Sequence, residues 1–126
     1  MSTIKVNNVQ DTSGSNSSTP AEIHSGRAKA WVNFNGTGTA AIRDDYNVAS
    51  ITDEGTGVFT ITYTNTLDGN NYIIVGSSGG TSNTTSGAVY LLDQQLARSS
   101  SSCRVYIGNN SGTAVDCPNI DVVMFD

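Results

Sequence analysis

The sequence predicts an all-β protein: an antiparallel, jelly-roll-like β-sandwich of about seven or eight strands, with a short N-terminal strand and helix. Its 126 residues suit one domain, and its hydrophobic fraction of 37% lies below the roughly 45–50% of ordinary globular chains. Ser, Thr, Asn and Gly supply 57 residues, whereas charged residues make up only 13%. Val, Ile, Tyr and Phe alternate in clusters between turn-forming residues, which favours strands over disorder.

The composition changes after the first 27 residues. We expect residues 1–27 to form an N-terminal docking segment and residues 28–126 to form the sandwich domain. Residues 3–9 alternate well enough to predict a short strand, and residues 10–19 predict a polar linker.

A short helix is predicted at the end of the docking segment. Thr19 suits its N-cap, Pro20 its first position and Glu22 the third, which completes a capping box, and Gly26 would end it after about two turns. A helix this short is marginal in water, so it must pack on another surface. The apolar residues that we expect at an interface are Ile4, Val6, Val9, Ile23 and Trp31.

From residue 28 the hydrophobic period becomes two. Ala30, Val32 and Phe34 fall on one face of a predicted strand, and Trp31 falls on the opposite, polar face. An aromatic residue there is unusual for a monomer. Trp31 is therefore expected to pack on a second sheet, to lie at a subunit interface or to contact a sugar.

Three hairpin-connected strands are predicted next to one another. A turn at residues 35–38 leads into a return strand at 42–51, which would carry Tyr46 and Val48 on one face. After a second Gly-containing turn, residues 58–64 alternate again. Their predicted inward residues are Phe59, Ile61 and Tyr63. Together these strands would form a meander.

The second half of the chain predicts four further strands. Residues 71–77 include three consecutive apolar residues, which predicts a buried, central strand. The other strands are expected at residues 88–94, 103–107 and 114–125, the last interrupted by Pro118. This spacing of strands and turns is typical of a sandwich.

The two cysteines, Cys103 and Cys117, flank a predicted turn at residues 109–112. They could form a cross-strand disulfide or remain as two buried free thiols, which a reducing cytoplasm favours. Two cysteines and one histidine do not supply the four ligands of a structural zinc site. We predict no metal and no cofactor.

No catalytic residue is predicted. His24 is the sole histidine and lies in a polar region, and the acid pairs Asp44–Asp45 and Asp53–Glu54 are expected to point apart or to lie in a turn. The net charge of −5 offers no basic stripe for nucleic acid, and no apolar run is long enough to predict membrane insertion. The chain is expected not to be an enzyme.

Several segments resemble a domain of tailed-bacteriophage, especially cyanophage, tail fibres and other virion appendages. These segments are AKAWVNFNGTGT at 28–39, IRDDYNVASITDEGTG at 42–57, FTITYTNTLDGNNYIIVG at 59–76 and, more loosely, NIDVVMFD at 119–126. Residues 4–27 resemble the leader that precedes this domain, which implies a complete short protein.

The resemblance implies a non-enzymatic virion protein that is assembled in the host cytoplasm as a homotrimer and acts in host attachment. A chain this short would form a compact knob or tail-fibre tip docked on another virion protein through residues 1–27, or alternatively a capsid decoration or cement protein. A glycan-binding module or glycan-degrading enzyme is a further alternative. The partner would be a host surface glycan or protein. The loop residues expected to contact it are Gly79, Gly80, Thr81, Ser82, Asn83, Thr84, Thr85, Ser86, Gly87, Ser99, Ser100 and Ser101.

Overall fold

The computed structural model describes residues 1–79, 90–93, 98–109 and 111–126, and these form one short helix and ten strands. The elements are β1 (Val9–Gln10), β2 (Ser17–Ser18), α1 (Pro20–Gly26), β3 (Ala30–Asn35), β4 (Ala41–Tyr46), β5 (Val48–Gly55), β6 (Val58–Tyr63), β7 (Ile73–Gly79), β8 (Tyr90–Asp93), β9 (Ser102–Gly108) and β10 (Asn119–Phe125).

Eight of the described strands form two four-stranded antiparallel sheets. The first sheet has the order β4-β3-β10-β7 and the second the order β5-β6-β9-β8. Strands β1 and β2 form a separate two-stranded ribbon. The predicted antiparallel β-sandwich, with a helix before it, is therefore confirmed.

The two sheets bury their facing side chains against each other. Phe34 of the first sheet meets Phe59 of the second edge to face, with ring centroids 5.3 Å apart. The alternation predicted in β3 and β6 is confirmed, because every second residue is buried. The buried apolar residues of the four central strands are Ala30, Val32, Phe34, Phe59, Ile61, Tyr63, Cys103, Val105, Ile107, Ile120, Val122 and Met124.

The return strand predicted at residues 42–51 is wrong as a single element. The chain turns sharply at Asn47, whose φ is 59°, so that β4 ends in the first sheet and β5 begins in the second. A left-handed residue reverses strand direction, and Asn tolerates it better than most residues. The predicted meander is therefore divided between two sheets. Tyr46 and Val48 were predicted to share one face, but Val48 is buried and Tyr46 is exposed.

The side chain of Asn47 holds this corner. Its Nδ2 donates hydrogen bonds to the carbonyl oxygens of Lys29 (3.0 Å) and Asn65 (3.1 Å), and its Oδ1 accepts one from the Asn65 amide at 2.7 Å. Lys29 precedes β3, and Asn65 follows β6. One amide group thus joins the margins of both sheets.

The strand predicted at residues 71–77 is neither central nor buried. Strand β7 lies at the end of the first sheet and pairs with β10 along its whole length. Ile73 and Val75 are 62% and 54% exposed, whereas Tyr72, just before the strand, is buried. A run of apolar residues does not reveal which of two strands takes the centre of a sheet. Here β10, whose residues alternate between buried and outward-facing positions, lies between β3 and β7.

The other strand predictions hold with shifted ends. Residues 90–93 form β8 within the predicted 88–94, and the remainder of that range lies outside the described residues. Strand β9 contains the predicted 103–107, and β10 begins directly after Pro118.

The N-terminal segment contains a shorter strand than predicted and the helix as predicted. Instead of a strand over residues 3–9, only β1 and β2 pair, and they lie within or beside the predicted linker. The capping box is confirmed, since Thr19 Oγ1 accepts from the Glu22 amide at 3.2 Å and Glu22 Oε2 accepts from the Thr19 amide at 2.6 Å.

Candidate functional site

The outer face of the second sheet is polar in the rows around Thr60, where side chains bond to one another, and a further row pairs Val58 with Tyr106. Glu54 Oε1 accepts hydrogen bonds from Thr60 Oγ1 at 2.8 Å and from Arg104 Nη2 at 3.2 Å. Thr52 and Thr60 pair across β5 and β6, and Arg104 faces Thr60 from β9. This surface has the composition of a solvated sheet face.

The outer face of the first sheet is different, because large apolar side chains cross all four strands. Tyr46, Trp31, Val123 and Val75 are cross-strand partners in one row, and Phe125 pairs with Ile73 in the next. Ile73, Val75 and Tyr46 are at least half exposed; Trp31, Val123 and Phe125 are partly buried. We call this surface, made by these six residues, the apolar face.

A polar row borders the apolar face. Asp44, Asn33, Asp121 and Ser77 are successive cross-strand partners. The Asp121 carboxylate accepts hydrogen bonds from Asn33 Nδ2 at 2.7 Å and from Ser77 Oγ at 3.2 Å. Asp44, Asn33 and Asp121, together with Trp31 and Val123, line a shallow depression of about 350 Å³. Both acids make no ion pair with any residue that the structure describes.

The sequence identified Trp31 on this surface but missed its neighbours. Tyr46 was expected to share a face with Val48, and the strand at residues 71–77 was expected to be buried. The alternation of NIDVVMFD could have revealed the remainder, since it places Asp121, Val123 and Phe125 opposite the buried Ile120 and Val122. Chemically, the depression offers an indole ring and hydrogen-bond acceptors, whereas the rest of the face offers aliphatic surface.

The interface residues predicted in the N-terminal segment lie together. We call residues 1–27 the arm. Its side chains Ile4, Val6, Val9 and Ile23 line one groove of about 490 Å³ between the first residues and helix α1, together with Pro20, Lys5, His24 and Arg27. All four apolar residues are exposed, from 47% for Val6 and Ile23 to 88% for Ile4. Helix α1 has no buried residue.

The arm joins the sandwich through Lys29. Its Nζ donates a hydrogen bond of 2.5 Å to the His24 carbonyl and lies 2.9 Å from His24 Nδ1. The sole histidine of the chain is thus next to a lysine at the root of the arm. Within the described residues, no group of three or more His, Cys, Asp or Glu side chains is placed to hold a metal ion.

The predicted receptor loops are described only in part. Gly79 ends β7, and residues 80–87 lie outside the described residues. Ser99, Ser100 and Ser101 form a tight turn, in which Ser99 Oγ accepts hydrogen bonds from the amides of Ser101 and Ser102 at 3.2 and 3.1 Å.

Hydrogen bonds from Tyr72 and Arg98 connect this turn to the sandwich. Tyr72 Oη donates to the carbonyl oxygens of Ser99 and Ser102, each at 3.0 Å, and Arg98 Nη1 donates to the Tyr72 carbonyl at 2.6 Å. The arrangement presents a rigid turn at this position.

Both cysteines are buried and present as free thiols. Cys103 belongs to β9 and Cys117 precedes β10, so the chain passes from one sheet to the other between them. Burial raises the pKa of the Cys117 thiol, and the neighbouring Asp116 charge adds to the shift. A raised pKa disfavours the thiolate and hence reactivity.

Helix α1, with seven residues, falls far short of the length needed to cross a bilayer, and the described part of the chain contains no longer helix.

No protein-family model matches the sequence, and no curated protein is significantly similar to it. Among solved structures, the chain is similar to part of the phiAB6 tailspike, crystallised in complex with three-repeated oligosaccharides of Acinetobacter baumannii surface polysaccharide. The TM-score is 0.57 at 13% sequence identity, and the match covers 94% of this chain and 22% of the tailspike chain. At this identity the likeness concerns the fold: this chain has the fold of one portion of a phage tailspike.

Proposed function

We propose that this chain is a structural module of a bacteriophage tail appendage, which assembles as a homotrimer on the virion and takes part in host attachment. The observation that carries the proposal is the match of nearly the whole chain to one portion of the phiAB6 tailspike. The resemblance of residues 28–76 to phage appendage sequences supports it independently.

The surfaces of the chain support an assembled rather than an isolated role. The apolar face and the groove of the arm both expose large hydrophobic side chains, among them Ile4, Ile73 and Val75. Contiguous apolar patches on small proteins mark sites of association. The proposed module is therefore completed by its neighbours in the particle.

We further propose that the module is not itself an enzyme. The sole histidine contacts Lys29 at the root of the arm and is not among the residues that line the depression beside Asp44 and Asp121. Glycoside hydrolysis needs a proton-donating and a second carboxyl group across the scissile bond. Purified protein that releases sugars from host polysaccharide, with activity lost in Asp44→Asn or Asp121→Asn, would contradict this part of the proposal.

The location on the particle is the decisive test. Gold-labelled antibody against the chain should decorate phage tails in electron micrographs, and the purified protein should reduce phage adsorption in proportion to its concentration. Label on capsids would instead favour a decoration protein. Protein found free in the lysate, with none on the particles, would contradict any structural role.

A further inference from the structure

The two sheets of the sandwich provide an internal comparison. The same chain builds one outer face mainly from polar residues such as Thr52, Thr60 and Arg104, with one Val58–Tyr106 pair, and the other from Trp31, Tyr46 and aliphatic residues. Burial of apolar surface is favourable, so an apolar face left in water forgoes that free energy. The contrast indicates that the apolar face is covered in the working assembly.

The arm presents the matching surface. Its groove combines exposed Ile4, Val6 and Ile23 with the cations Lys5 and Arg27. Among the described residues neither cation forms an ion pair. Lys5 is one of only two lysines in the sequence.

The polar row that borders the apolar face carries the opposite charge. It contains Asp44 and Asp121, and no lysine or arginine lines the described depression beside Trp31. The groove of the arm and the face with its acidic border therefore complement each other in both hydrophobicity and charge. They do not cover each other within one chain, where Ile4, Val75 and Tyr46 all stay exposed. Complementary charge of this kind sets partner choice and register at an interface.

We propose that the arm of one copy packs on the apolar face of a neighbouring copy, with Lys5 and Arg27 directed at Asp44 and Asp121. This inference rests on the homo-oligomer proposed above and names the contact that holds it together. A sugar would use the Trp31 ring and the acids but would leave Val75, Ile73 and Phe125 without a partner. A protein arm covers both parts.

Cross-linking of the unmodified protein tests the contact. A zero-length carbodiimide joins lysine to a carboxylate only where the two touch, and a mixture of ¹⁴N- and ¹⁵N-labelled chains identifies links between copies by mass spectrometry. We expect Lys5 joined to Asp44 or Asp121 of a differently labelled chain. Lys5 joined only to its own chain, only to Asp53 or Glu54 of the second sheet, or to no carboxylate would overturn the proposal.

Charge reversal provides a second test that does not depend on cross-linking. Asp44→Lys should weaken self-association at least about tenfold, and Lys5→Glu in the same chain should restore it to within about threefold. Asp53→Lys is the matched control, because Asp44 and Asp53 are both exposed edge-strand acids that accept one local amide hydrogen bond. Equal effects of Asp44→Lys and Asp53→Lys, with both variants folded by circular dichroism, would overturn the contact.

The outcomes separate this contact from the proposed function. If antibody detects the wild-type protein on phage tails but the Asp44→Lys variant still assembles normally, the proposed function stands and the arm contact is refuted. A neutral oligosaccharide that changes the fluorescence of Trp31, the single tryptophan, while Asp44→Lys assembles normally would assign the face to a glycan and refute it as well.

Discussion

Gly57 occupies a position that a side chain cannot enter. Its φ is +69°, and a Cβ there would lie 2.5 Å from the Ile107 carbonyl oxygen and 2.8 Å from the Val115 amide nitrogen. Its amide donates to Asp116 Oδ1 at 2.7 Å, and its carbonyl accepts from the Ile107 amide, also at 2.7 Å. Both obstacles are backbone atoms, which cannot rotate away.

We therefore expect Gly57→Ala to lower the free energy of unfolding by about 2–4 kcal/mol, measured by urea denaturation. Gly38→Ala is the matched control, since Gly38 has a φ of +65° but open space around it. It should cost only about 1–2 kcal/mol, the usual penalty of a left-handed alanine. Equal losses would show that the contacts of Gly57 contribute nothing.

Tyr63 has a hydroxyl that is buried and finds no hydrogen-bond partner among the described residues. Burial raises the pKa of this phenol strongly, and the neighbouring Cys103 and Tyr72 add to the shift. Since the unfolded chain loses the proton first, it binds fewer protons than the folded chain at alkaline pH. Stability is therefore fully present below the unfolded pKa of about 10 and falls as the pH rises above it.

We expect the urea midpoint to fall between pH 9.5 and pH 11, values chosen to bracket the ordinary tyrosine pKa of about 10. Tyr63→Phe should change stability by less than about 1 kcal/mol at pH 7, because it removes an unpaired hydroxyl, and should flatten that fall. Tyr46→Phe, which alters an exposed ring, serves as the control. An unchanged alkaline fall in Tyr63→Phe would contradict the assignment to Tyr63.

At the scale of elements, the corner between β4 and β5 depends on Asn47. Alanine at this position would leave the Asn65 amide and the carbonyl groups of Lys29 and Asn65 without these hydrogen bonds. It would also have to adopt a φ of 59° with no side-chain hydrogen bond to stabilise it. Asn47→Ala should cost about 2–4 kcal/mol. Asn35→Ala, whose amide bonds only within its own exposed hairpin, should cost about 1 kcal/mol. A smaller loss at Asn47 than at Asn35 would refute its role as the corner.

The elements also show which predictions a sequence can support. The capping box at Thr19 and the alternation around Phe34 and Phe59 are local patterns, and the structure contains them as predicted. The break at Asn47 was missed because Tyr46 and Val48 keep the period of two across it. Only the tolerance of Asn for a left-handed φ hinted at a corner.

The position of a strand within a sheet depends on residues that are distant in the sequence. The apolar run of β7 is compatible with a central strand and with an edge strand whose outer face a partner would cover. In the structure β7 is an edge strand, and the side chains of Ile73 and Val75 on its outer face are exposed. Trp31 lies opposite Val32 and Phe34, as the alternation predicted, but Val75 and Asp121 join it only through the strand order β3-β10-β7. That order is a property of the whole fold.

At the scale of the whole molecule, the arm and the apolar face leave the isolated chain with two exposed apolar surfaces. A stable interface buries about 800 Å² per partner, and these two surfaces are the exposed apolar surfaces of the described chain that the proposed contact would bury. Self-association should also weaken as salt rises, because the proposed charges lie at an exposed rim. Sedimentation at low and high salt checks this expectation, and tighter association at high salt would argue for a contact without those charges.

The mass of this chain in solution tests the assembly most directly. The chain weighs 13.2 kDa, so light scattering coupled to size exclusion should give three times that mass for the proposed trimer. Dilution that separates the copies should expose Trp31 and shift its fluorescence emission to longer wavelength. A mass of 13.2 kDa that persists at high protein concentration, with no change in Trp31 emission, would contradict the proposal that this chain is an assembling appendage module.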